Sequence, residues 1–462
     1  MSDLVSTLEA VFGQESVLTG EALARRSSGY LNNSPLHALA LLRPASTAEV
    51  AEMLRLCNAA AQPVVPQGGL TNLVKNTHTT RSEIALSLER MNAIEEINPI
   101  GATMTVQAGA VLQQVQQAAE SAGMFFPLDL GARSSAVVGG LIANNAGGLR
   151  VLRYGMMRDQ VLGLEVVLAD GSVLSSLNKM LKNNTGYDLK HLFIGMEGTL
   201  GVVTRAVLRL WPRPGGAATA LVGMERFEQV AGLLMLARQE AGGQLASFEV
   251  MWNEFYRLTT TPPAVSSPAL RSDFAYYVLI ELLGQDNAEE RFRLESLLEK
   301  AFQAGLFSDA VIAASSSQRT ALWRIREDSE QIEAQHRPTV SFDVSLPVTA
   351  MESYVGQILT QLERRFGKVK VWVFGHIADG NLHLGVWGSA IGEADLAQVE
   401  KIVYQPLPAL GGSISAEHGI GLAKKPYLTL SRSAEEIAVM RRLKAALDPK
   451  GILNPGKIFD MS

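Results

Sequence analysis

Two glycine-rich segments in the first third of the chain restrict what the sequence can fold into. They are PQGGLTN (residues 66–72) and VVGGLIANNAGG (137–148). Glycine lets backbone amides approach a ligand closely, and successive N–H groups form a concave site for phosphate oxygens. Neither segment has the G-x-G-x-x-G or the G-x-x-x-x-G-K-[ST] pattern, so neither a Rossmann nor a P-loop site is indicated. A tight turn explains a single glycine pair equally well, but two such segments in one domain favour a phosphate-containing ligand.

Length and composition narrow the class of protein. A chain of 462 residues suffices for two or three domains, and 47% hydrophobic with 19% charged residues is typical of a globular protein. The net charge of −5, without a dense Lys/Arg block, argues against nucleic acid as a partner. The single cysteine, Cys57, excludes an internal disulfide and fits a reducing compartment.

The N-terminus and the hydrophobic runs suggest where the protein resides. The opening MSDLVSTLEAVFGQ predicts an amphipathic helix and not a signal peptide. No apolar run approaches the roughly 18 residues that a membrane span requires. We therefore expect a soluble, cytoplasmic protein without a membrane span.

The order of predicted elements indicates an α+β fold. LHALALLRP and PVVPQ read as strands on either side of the helix STAEVAEMLRLCNAAAQ, in which Ser46 and Glu49 have the spacing of a capping box. Strand, helix and strand form a βαβ unit, so part of the sheet must be parallel. Further on, VLGLEVVLADGSVLSS predicts a hairpin that turns at Asp170–Gly171.

Changes in pattern along the chain predict three parts. A Pro/Gly-rich stretch ends the first domain, residues 1–215. Strands alternate with helices over 216–408, which indicates a ferredoxin-like α+β domain. Residues 409–462 form a small C-terminal helical segment.

The stretch GHIADGNLHLGV (375–386) places two histidines around an Asp-Gly pair. A two-residue turn at Asp379–Gly380 would pair His376 with His383 on one face of a hairpin, close enough to share an ion. A polar surface pair is the alternative. In SAEHG, Glu417 and His418 are adjacent, so in an extended segment one can bind an ion while the other faces a different partner.

Six motifs, in order and over nearly the full length, carry a family resemblance. They are PQGG.T, GG.IANNAGG, GYDLKHLFIG.EGTLG, GH..DGNLH, EHG.G and DP.GILNPGK. Together they resemble the FAD-dependent D-2-hydroxyacid dehydrogenases of the vanillyl-alcohol-oxidase fold, which has a PCMH-type FAD-binding domain. The motifs are most similar to those of the D-2-hydroxyglutarate dehydrogenases. The resemblance implies that residues 216–408 are the substrate (cap) domain and that 409–462 completes the active site.

The same resemblance implies that the N-terminal domain binds FAD. The pyrophosphate would lie against the amides of Gly68, Gly69 and Thr71 and of the Gly139–Asn145 segment. Leu70 stands where some relatives tether the flavin through a histidine, so FAD should be bound non-covalently. The implied FAD-binding residues are Pro66, Gln67, Gly68, Gly69, Leu70, Thr71, Asn72, Gly139, Gly140, Ala143, Asn144, Asn145, Gly147, Gly201, Val202 and Asn454.

The resemblance also assigns the reaction centre. His376, His383 and Glu417 are implied as ligands of a divalent metal, a set typical of catalytic Zn²⁺, with Mn²⁺ left open. His418 becomes the general base, and Arg326 binds the substrate carboxylate. A helix-surface salt bridge with Glu330 or a neighbouring acid is an alternative role for that arginine.

Three positions predict the substrate. The dehydrogenases that read a distal carboxylate have threonine, lysine and asparagine where this chain has Glu330, Ser341 and Gly385. Ser341 removes the cation that would pair with a distal carboxylate of the substrate, and Glu330 adds a carboxylate that would repel it. Both changes disfavour a substrate with a second acid group. We therefore predict D-lactate or another monocarboxylic D-2-hydroxy acid, with D-2-hydroxyglutarate or D-malate as the alternative.

Other hypotheses stay open at this point. A metal-dependent hydrolase or lyase without flavin would leave the glycine-rich segments unexplained. A flavin-containing binding or electron-carrier protein would leave the metal set unexplained. The electron acceptor, whether an electron-transfer flavoprotein, a quinone or oxygen, is not specified by the sequence. Nor is the oligomeric state, with a homodimer among the options.

Overall fold

The computed structural model describes residues 2–29 and 32–461, and the side chains of Ser2, Asp3, Asn32, Asn33 and Glu330 lie outside that description. The chain folds into two compact units. The first comprises residues 1–148, 155–213 and 417–462, and the second comprises 149–154 and 214–416. The functional domain boundaries near 215 and 408 stay predictions.

The strands are short in the first unit and longer in the second. In chain order they are β1 (Val17–Leu18), β2 (Ser27–Gly29), β3 (Asn32–Pro35), β4 (Ala40–Leu42), β5 (Val64–Gln67), β6 (Ile84–Ser87), β7 (Ile94–Asn98), β8 (Thr103–Gln107), β9 (Met124–Phe125), β10 (Val161–Val167), β11 (Val173–Ser176), β12 (Val202–Arg209), β13 (Trp211–Pro212), β14 (Gly216–Met224), β15 (Leu245–Trp252), β16 (Tyr276–Gly284), β17 (Asp309–Ile312), β18 (Thr339–Ser345), β19 (Lys370–His376) and β20 (Asn381–Trp387).

The helices are α1 (Ser2–Phe12), α2 (Gly20–Ala24), α3 (Thr47–Ala59), α4 (Leu112–Ser121), α5 (Val138–Asn144), α6 (Val151–Tyr154), α7 (Met157–Gln160), α8 (Lys190–Phe193), α9 (Phe227–Glu240), α10 (Asn253–Thr260), α11 (Asn287–Gln303), α12 (Ser316–Glu327), α13 (Ser329–Gln335), α14 (Met351–Phe366), α15 (Leu396–Tyr404) and α16 (Ala434–Leu447). Within the described ranges, none of them has the length and apolar character needed to cross a membrane.

The predicted βαβ unit is present in the first unit. β4 and β5 both run parallel to β6, which lies between them in the sheet order β1-β4-β6-β5, and α3 connects β4 to β5. Ser46 caps α3 by accepting the N–H of Glu49 at 3.2 Å. The Glu49 carboxylate accepts the N–H of Ala45 at 2.8 Å instead of that of Ser46. The partly parallel sheet is confirmed, and half of the predicted capping box forms.

A second sheet in the first unit is antiparallel, in the order β11-β10-β12-β8-β7. The β10–β11 hairpin turns at the predicted Asp170–Gly171, where Gly171 has a φ of +88° that favours glycine. Buried residues of both sheets, such as Ile84 and Val106, share one apolar core with Leu54 of α3.

The C-terminal segment completes the first unit. Leu453 forms a parallel bridge with Val64, so the end of the chain extends the sheet beyond its edge strand β5. The buried Lys444 of α16 donates to the carbonyl oxygens of Thr199 and Leu453, each at 2.7 Å. It also donates to the carboxylate of Asp448 at 2.5 Å. One buried cation therefore ties α16 to two other segments of the unit.

The second unit is built on a seven-stranded antiparallel sheet in the order β17-β14-β16-β15-β19-β20-β18. One face carries an apolar cluster in which Met251, Leu279 and Phe374 of the sheet pack with Leu322 and Ile325 of α12. The strand register puts a set of buried polar side chains on that same face, namely Glu281, Ser247, Glu249, His376 and Asp343. The α+β class is confirmed, and most of the predicted site residues of this unit lie on this face.

Lys444→Met should lower the free energy of unfolding by about 3–5 kcal/mol, because it leaves the carboxylate of Asp448 buried without its cation. Asp448 is 1% exposed. The shift is measured from urea unfolding followed by tryptophan fluorescence. The matched control is Lys425→Met, whose partner Asp460 is exposed and whose loss should cost less than about 1 kcal/mol. Equal losses in the two variants would contradict the structural role of Lys444.

Candidate functional site

The hairpin of β19 and β20 carries His376 and His383, but its register differs from the predicted one. His383 pairs with Phe374, not with His376. A two-residue type I′ turn needs a positive φ at both central residues. Here Asp379 ends a 3₁₀ turn, and Gly380 alone has a left-handed φ, of +91°. The loop is therefore longer, and the predicted direct pairing of the histidines is wrong.

The observed pairing of β19 with β20 differs from the predicted one by two residues. Because side chains alternate between the faces of a strand, both histidines still lie on one face of the sheet. Their ring centroids are 5.6 Å apart, and a nitrogen of each ring lies within 4.8 Å of the other. Asn381 begins β20 on the same face and is 3% exposed. Its amide oxygen and nitrogen make no hydrogen bond among the described residues. The face thus brings two imidazoles together beside an amide that a ligand could pair with.

Glu249 lies directly opposite His376 in the β15–β19 pair. Its Oε1 is 2.8 Å from Nδ1 of His376, and its Oε2 accepts a hydrogen bond from Nε of Arg326 at 2.7 Å. An ionised carboxylate only accepts hydrogen bonds, so Nδ1 carries the proton and Nε2 keeps its lone pair. Nη2 of Arg326 faces that Nε2 at 3.2 Å.

Burial would raise the pKa of Glu249, but His376 and Arg326 outweigh it and hold the pKa below its ordinary value. The carboxylate is therefore ionised although it is only 1% exposed. Sequence reasoning missed this residue. The signal was a lone acidic residue inside the apolar strand ASFEVMW, since a buried charge is rare unless it is paired.

Arg326 is a buried residue of α12, with 5% exposure, so it is not part of a helix-surface salt bridge. Its guanidinium lies 4.4 Å from the centre of the Phe374 ring. With Glu249 on one side and the aromatic ring beneath it, the planar group has a fixed orientation. Its assignment to the substrate carboxylate stays a prediction.

Asp343 occupies the equivalent cross-strand position on the other side of the hairpin. It lies directly opposite His383 in the β18–β20 pair, is 1% exposed, and has a carboxylate oxygen within 4.8 Å of a His383 nitrogen. Its Oδ2 accepts the N–H of Ala416 at 3.1 Å. This carboxylate therefore meets one predicted metal ligand and also holds the residue that precedes Glu417 in the chain.

Glu417 and His418 belong to the first unit, where a dense set of hydrogen bonds fixes their backbone. Oε1 of Glu417 accepts the N–H of Gly148 at 2.9 Å, and the carbonyl of His418 accepts from the Asn72 side chain at 3.4 Å. The buried carboxylate of Glu197 accepts the N–H groups of Ile420 at 2.7 Å and Gly421 at 2.8 Å. Burial raises the pKa of Glu197, and those two N–H groups oppose the shift.

The two glycine-rich segments lie side by side in the first unit. A Cβ on Gly69 would be 1.9 Å from the carbonyl oxygen of Ser135, and one on Gly68 would be 2.9 Å from Val137. Only glycine permits such an approach. Leu70 has a φ of +58°, a strained conformation that is common at ligand sites. A Cβ on Gly140 would meet nothing closer than 3.9 Å, so this backbone stays accessible.

Other predicted FAD-binding residues surround these segments. Asn144 accepts a hydrogen bond from Asn76 at 3.1 Å, and Asn145 ends α5 with a left-handed φ of +50°. Asn454 donates to the carbonyl of Glu197 at 2.6 Å, whereas its buried Oδ1 has no partner among the described residues. The remaining predicted residues lie in the same unit, at Pro66, Gln67, Thr71, Gly139, Ala143, Gly147, Gly201 and Val202.

Ser341, Gly385 and Trp372 form one row across β18, β20 and β19. A Cβ on Gly385 would lie 2.0 Å from the indole of Trp372, so the tryptophan ring covers this glycine. Ser341 donates to the carboxylate of Glu333 at 2.5 Å. The row is predicted to face the distal end of the substrate. It consists of the Ser341 hydroxyl, which is bound to an acid, the backbone of Gly385 without a side chain, and the indole of Trp372.

Comparisons with known proteins agree with this organisation. Residues 38–176 match the family described as "FAD binding domain", and residues 213–458 match "FAD linked oxidases, C-terminal domain". Among solved structures, p-cresol methylhydroxylase aligns with a TM-score of 0.75 at 15% identity, covering 100% of this chain and 97% of that one. An alkyldihydroxyacetonephosphate synthase aligns with a TM-score of 0.76 at 16% identity, covering 98% and 86%. These two show the fold.

Curated relatives are more similar in sequence. Mitochondrial D-2-hydroxyglutarate dehydrogenase of Bos taurus is 39% identical over 99% of this chain and 83% of its own. D-2-hydroxyglutarate dehydrogenase of Xanthomonas citri is 40% identical over 91% and 89%. A Schizosaccharomyces pombe protein provisionally named as a mitochondrial D-lactate dehydrogenase is 37% identical over 90% and 81%. Since mitochondrial proteins are among them, the cytoplasmic location stays a prediction.

Both family matches and the relatives indicate an FAD-linked dehydrogenase, which agrees with the two glycine-rich segments and the buried polar face. The chain belongs to the FAD-linked oxidases, and within them to the family of the D-2-hydroxyglutarate dehydrogenases, as an FAD-dependent D-2-hydroxyacid dehydrogenase.

Proposed function

We propose that this dehydrogenase uses a divalent metal, held by His376, His383 and Glu417, to oxidise the C2 hydroxyl of a D-2-hydroxy acid. The observation that carries the proposal is the close approach of the two imidazoles, since a ring nitrogen of His376 lies within 4.8 Å of one of His383. Two imidazoles and a carboxylate suit Zn²⁺, with Mn²⁺ as the alternative. The amide of Asn381, which has no hydrogen-bond partner in the described part of the chain, lies on the same face and supports a ligand there.

The residues of the first unit fit a non-covalent FAD. A phosphate-bearing cofactor would use the accessible backbone at Gly140, the close approach at Gly69 and the Oδ1 of Asn454, which no described residue pairs with. Leu70 offers no nucleophile to the flavin. We assign FAD binding to the glycine-rich segments 66–72 and 139–147, together with Gly201, Val202 and Asn454.

In the proposed mechanism the protein binds the substrate by its head group. Arg326, held by Glu249, receives the C1 carboxylate through its fixed guanidinium. The imidazole of His418 takes the proton of the C2 hydroxyl, because histidine is the side chain that most often serves as a general base. His376, His383 and Glu417 would hold the metal, which would supply Lewis-acid polarisation of the hydroxyl, and the glycine-rich segments would hold FAD, which would supply the acceptor for the hydride. His418 returns the proton to solvent when the 2-oxo acid leaves.

D-2-hydroxyglutarate is the substrate that the relatives favour, and the prediction of D-lactate or another monocarboxylate is not specifically confirmed. The Ser341–Gly385–Trp372 row favours the monocarboxylate as a second candidate, because the acid that it holds, Glu333, would repel a distal carboxylate. The fission-yeast relative with a D-lactate dehydrogenase name supports the same candidate. The electron acceptor and a homodimeric state remain proposals of the sequence.

We predict that the purified protein is yellow and that a D-2-hydroxy acid bleaches it under anaerobic conditions.

His418→Ala should slow this bleaching by roughly 10²–10⁴, the usual contribution of a general base. It should retain its metal, whereas Glu417→Ala should lose metal and keep FAD. Metal content is measured by atomic emission and flavin by absorbance. Loss of metal from His418→Ala would reverse the two assignments, and a colourless protein that FAD cannot reconstitute would favour a hydrolase.

Glu333→Gln should lower the KM for D-2-hydroxyglutarate roughly fivefold, because two unit charges 4 Å apart in water repel by about 1 kcal/mol. The KM for D-lactate should stay unchanged, since D-lactate has no distal acid. Steady-state kinetics with both substrates tests this, and Glu299→Gln on α11, an exposed acid, serves as the control. Flavin reduction by D-lactate but not by D-2-hydroxyglutarate would make the monocarboxylate the substrate. Equal effects of Glu333→Gln on both KM values would remove Glu333 from the distal site.

A further inference from the structure

Each histidine of the hairpin faces a buried carboxylate on the neighbouring strand. Glu249 is the direct cross-strand partner of His376, and Asp343 is that of His383. Both acids are 1% exposed. Directly opposed residues have their Cβ atoms about 4.5–5.5 Å apart, so each acid is within reach of its imidazole. A buried acid therefore lies opposite a histidine twice, on the two outer sides of one hairpin.

We propose that Glu249 and Asp343 are positioning residues that orient His376 and His383 toward one divalent cation and thereby set the affinity for it. The inference rests on the proposed metal site and adds the two groups behind its ligands. A carboxylate that receives one ring N–H fixes the tautomer and the plane of the imidazole and makes the other nitrogen a better donor.

Glu249 links the metal ligand to the substrate-binding residue. Its two oxygens serve different partners, with Oε1 at 2.8 Å from His376 and Oε2 at 2.7 Å from Arg326. A buried ion is costly unless it is paired, so the acid cannot release one partner without penalty. It therefore sets the orientation of the imidazole and of the guanidinium together.

Asp343 acts on the chain that leads to Glu417. Its Oδ2 accepts the N–H of Ala416 at 3.1 Å, and the N–H and carbonyl of Ser413 pair with those of Ser345 on β18 at 2.7 and 3.0 Å. The last residues before Glu417 are thus fixed to the strand that carries Asp343. One carboxylate serves both His383 and the approach to the third ligand.

Glu281 provides the matched comparison. It lies on the same face of the same sheet, is 3% exposed, and accepts hydrogen bonds from Thr219 at 3.0 Å and Trp323 at 2.8 Å. Its cross-strand partners are Thr219 and Ser247, not a histidine. If the role of a buried acid here is only to support the fold, Glu281 should matter to the metal as much as Glu249 does.

The test measures Zn²⁺ affinity of the FAD-loaded protein by competition with a chromogenic chelator. Glu249→Gln and Asp343→Asn should each weaken Zn²⁺ binding about 10–100-fold, the usual effect of losing such an outer partner. Glu281→Gln should leave the dissociation constant within about twofold of that of the wild type. The absorption spectrum of the Co²⁺-substituted protein gives a second readout, and it should change in the two variants but not in the control.

The outcomes separate this inference from the proposed function. A wild-type protein that binds no Zn²⁺ contradicts the metal site itself. A wild-type protein that binds Zn²⁺, with Glu249→Gln and Asp343→Asn equally tight, overturns the positioning role alone, as does a loss in Glu281→Gln as large as theirs. If Glu249→Gln does not fold with FAD bound, Asp343→Asn decides the question, because its amide oxygen can still accept the N–H of Ala416.

Discussion

The ionised carboxylate of Glu249 constrains the whole polar face of the second unit. A charge that is 1% exposed must find partners of opposite sign, and here they come from a helix and from another strand, Arg326 of α12 and His376 of β19. Both pairings fail if α12 rotates or if β19 slips against β15. The ion pairs therefore fix the helix and the strand to one arrangement, and the apolar cluster around Phe374 packs in that same arrangement.

Local signals in the sequence were enough for the elements whose partners are close along the chain. The capped helix α3, the βαβ unit and the turn at Asp170–Gly171 follow from spacing and turn chemistry within short windows. The histidine hairpin shows the limit of such signals. Its turn type was predicted wrongly, because an Asp-Gly pair also fits a 3₁₀ turn with glycine at its end. Side chains alternate between the two faces of a strand, so a shift of two residues still left His376 and His383 on one face.

The groups that surround the site could not be predicted in the same way. Glu249 and Arg326 are 77 residues apart, and Glu197 meets the Ile420 amide across 223 residues. Sequence periodicity within a short window cannot predict contacts between residues so far apart in the chain. Asp343 and Trp372 reach their neighbours through a strand order, β19-β20-β18, that the sequence leaves open. The resemblance to a family assigned candidate residues for the substrate, the metal and FAD, but it did not point to the buried acids Glu249 and Asp343 beside them.

The bridge between Val64 and Leu453 has a consequence for synthesis of the chain. The edge of β5, next to the first glycine-rich segment, gains its neighbour only when the C-terminal residues have left the ribosome. Residues 214–416, which make up almost all of the second unit, emerge earlier and without interruption. Domains fold as units during synthesis. All residues of the second unit have therefore been synthesised before the segment around Leu453, which the first unit needs, is available. During that interval β5 of the nascent chain has an unpaired edge, the kind of edge with which another chain can pair.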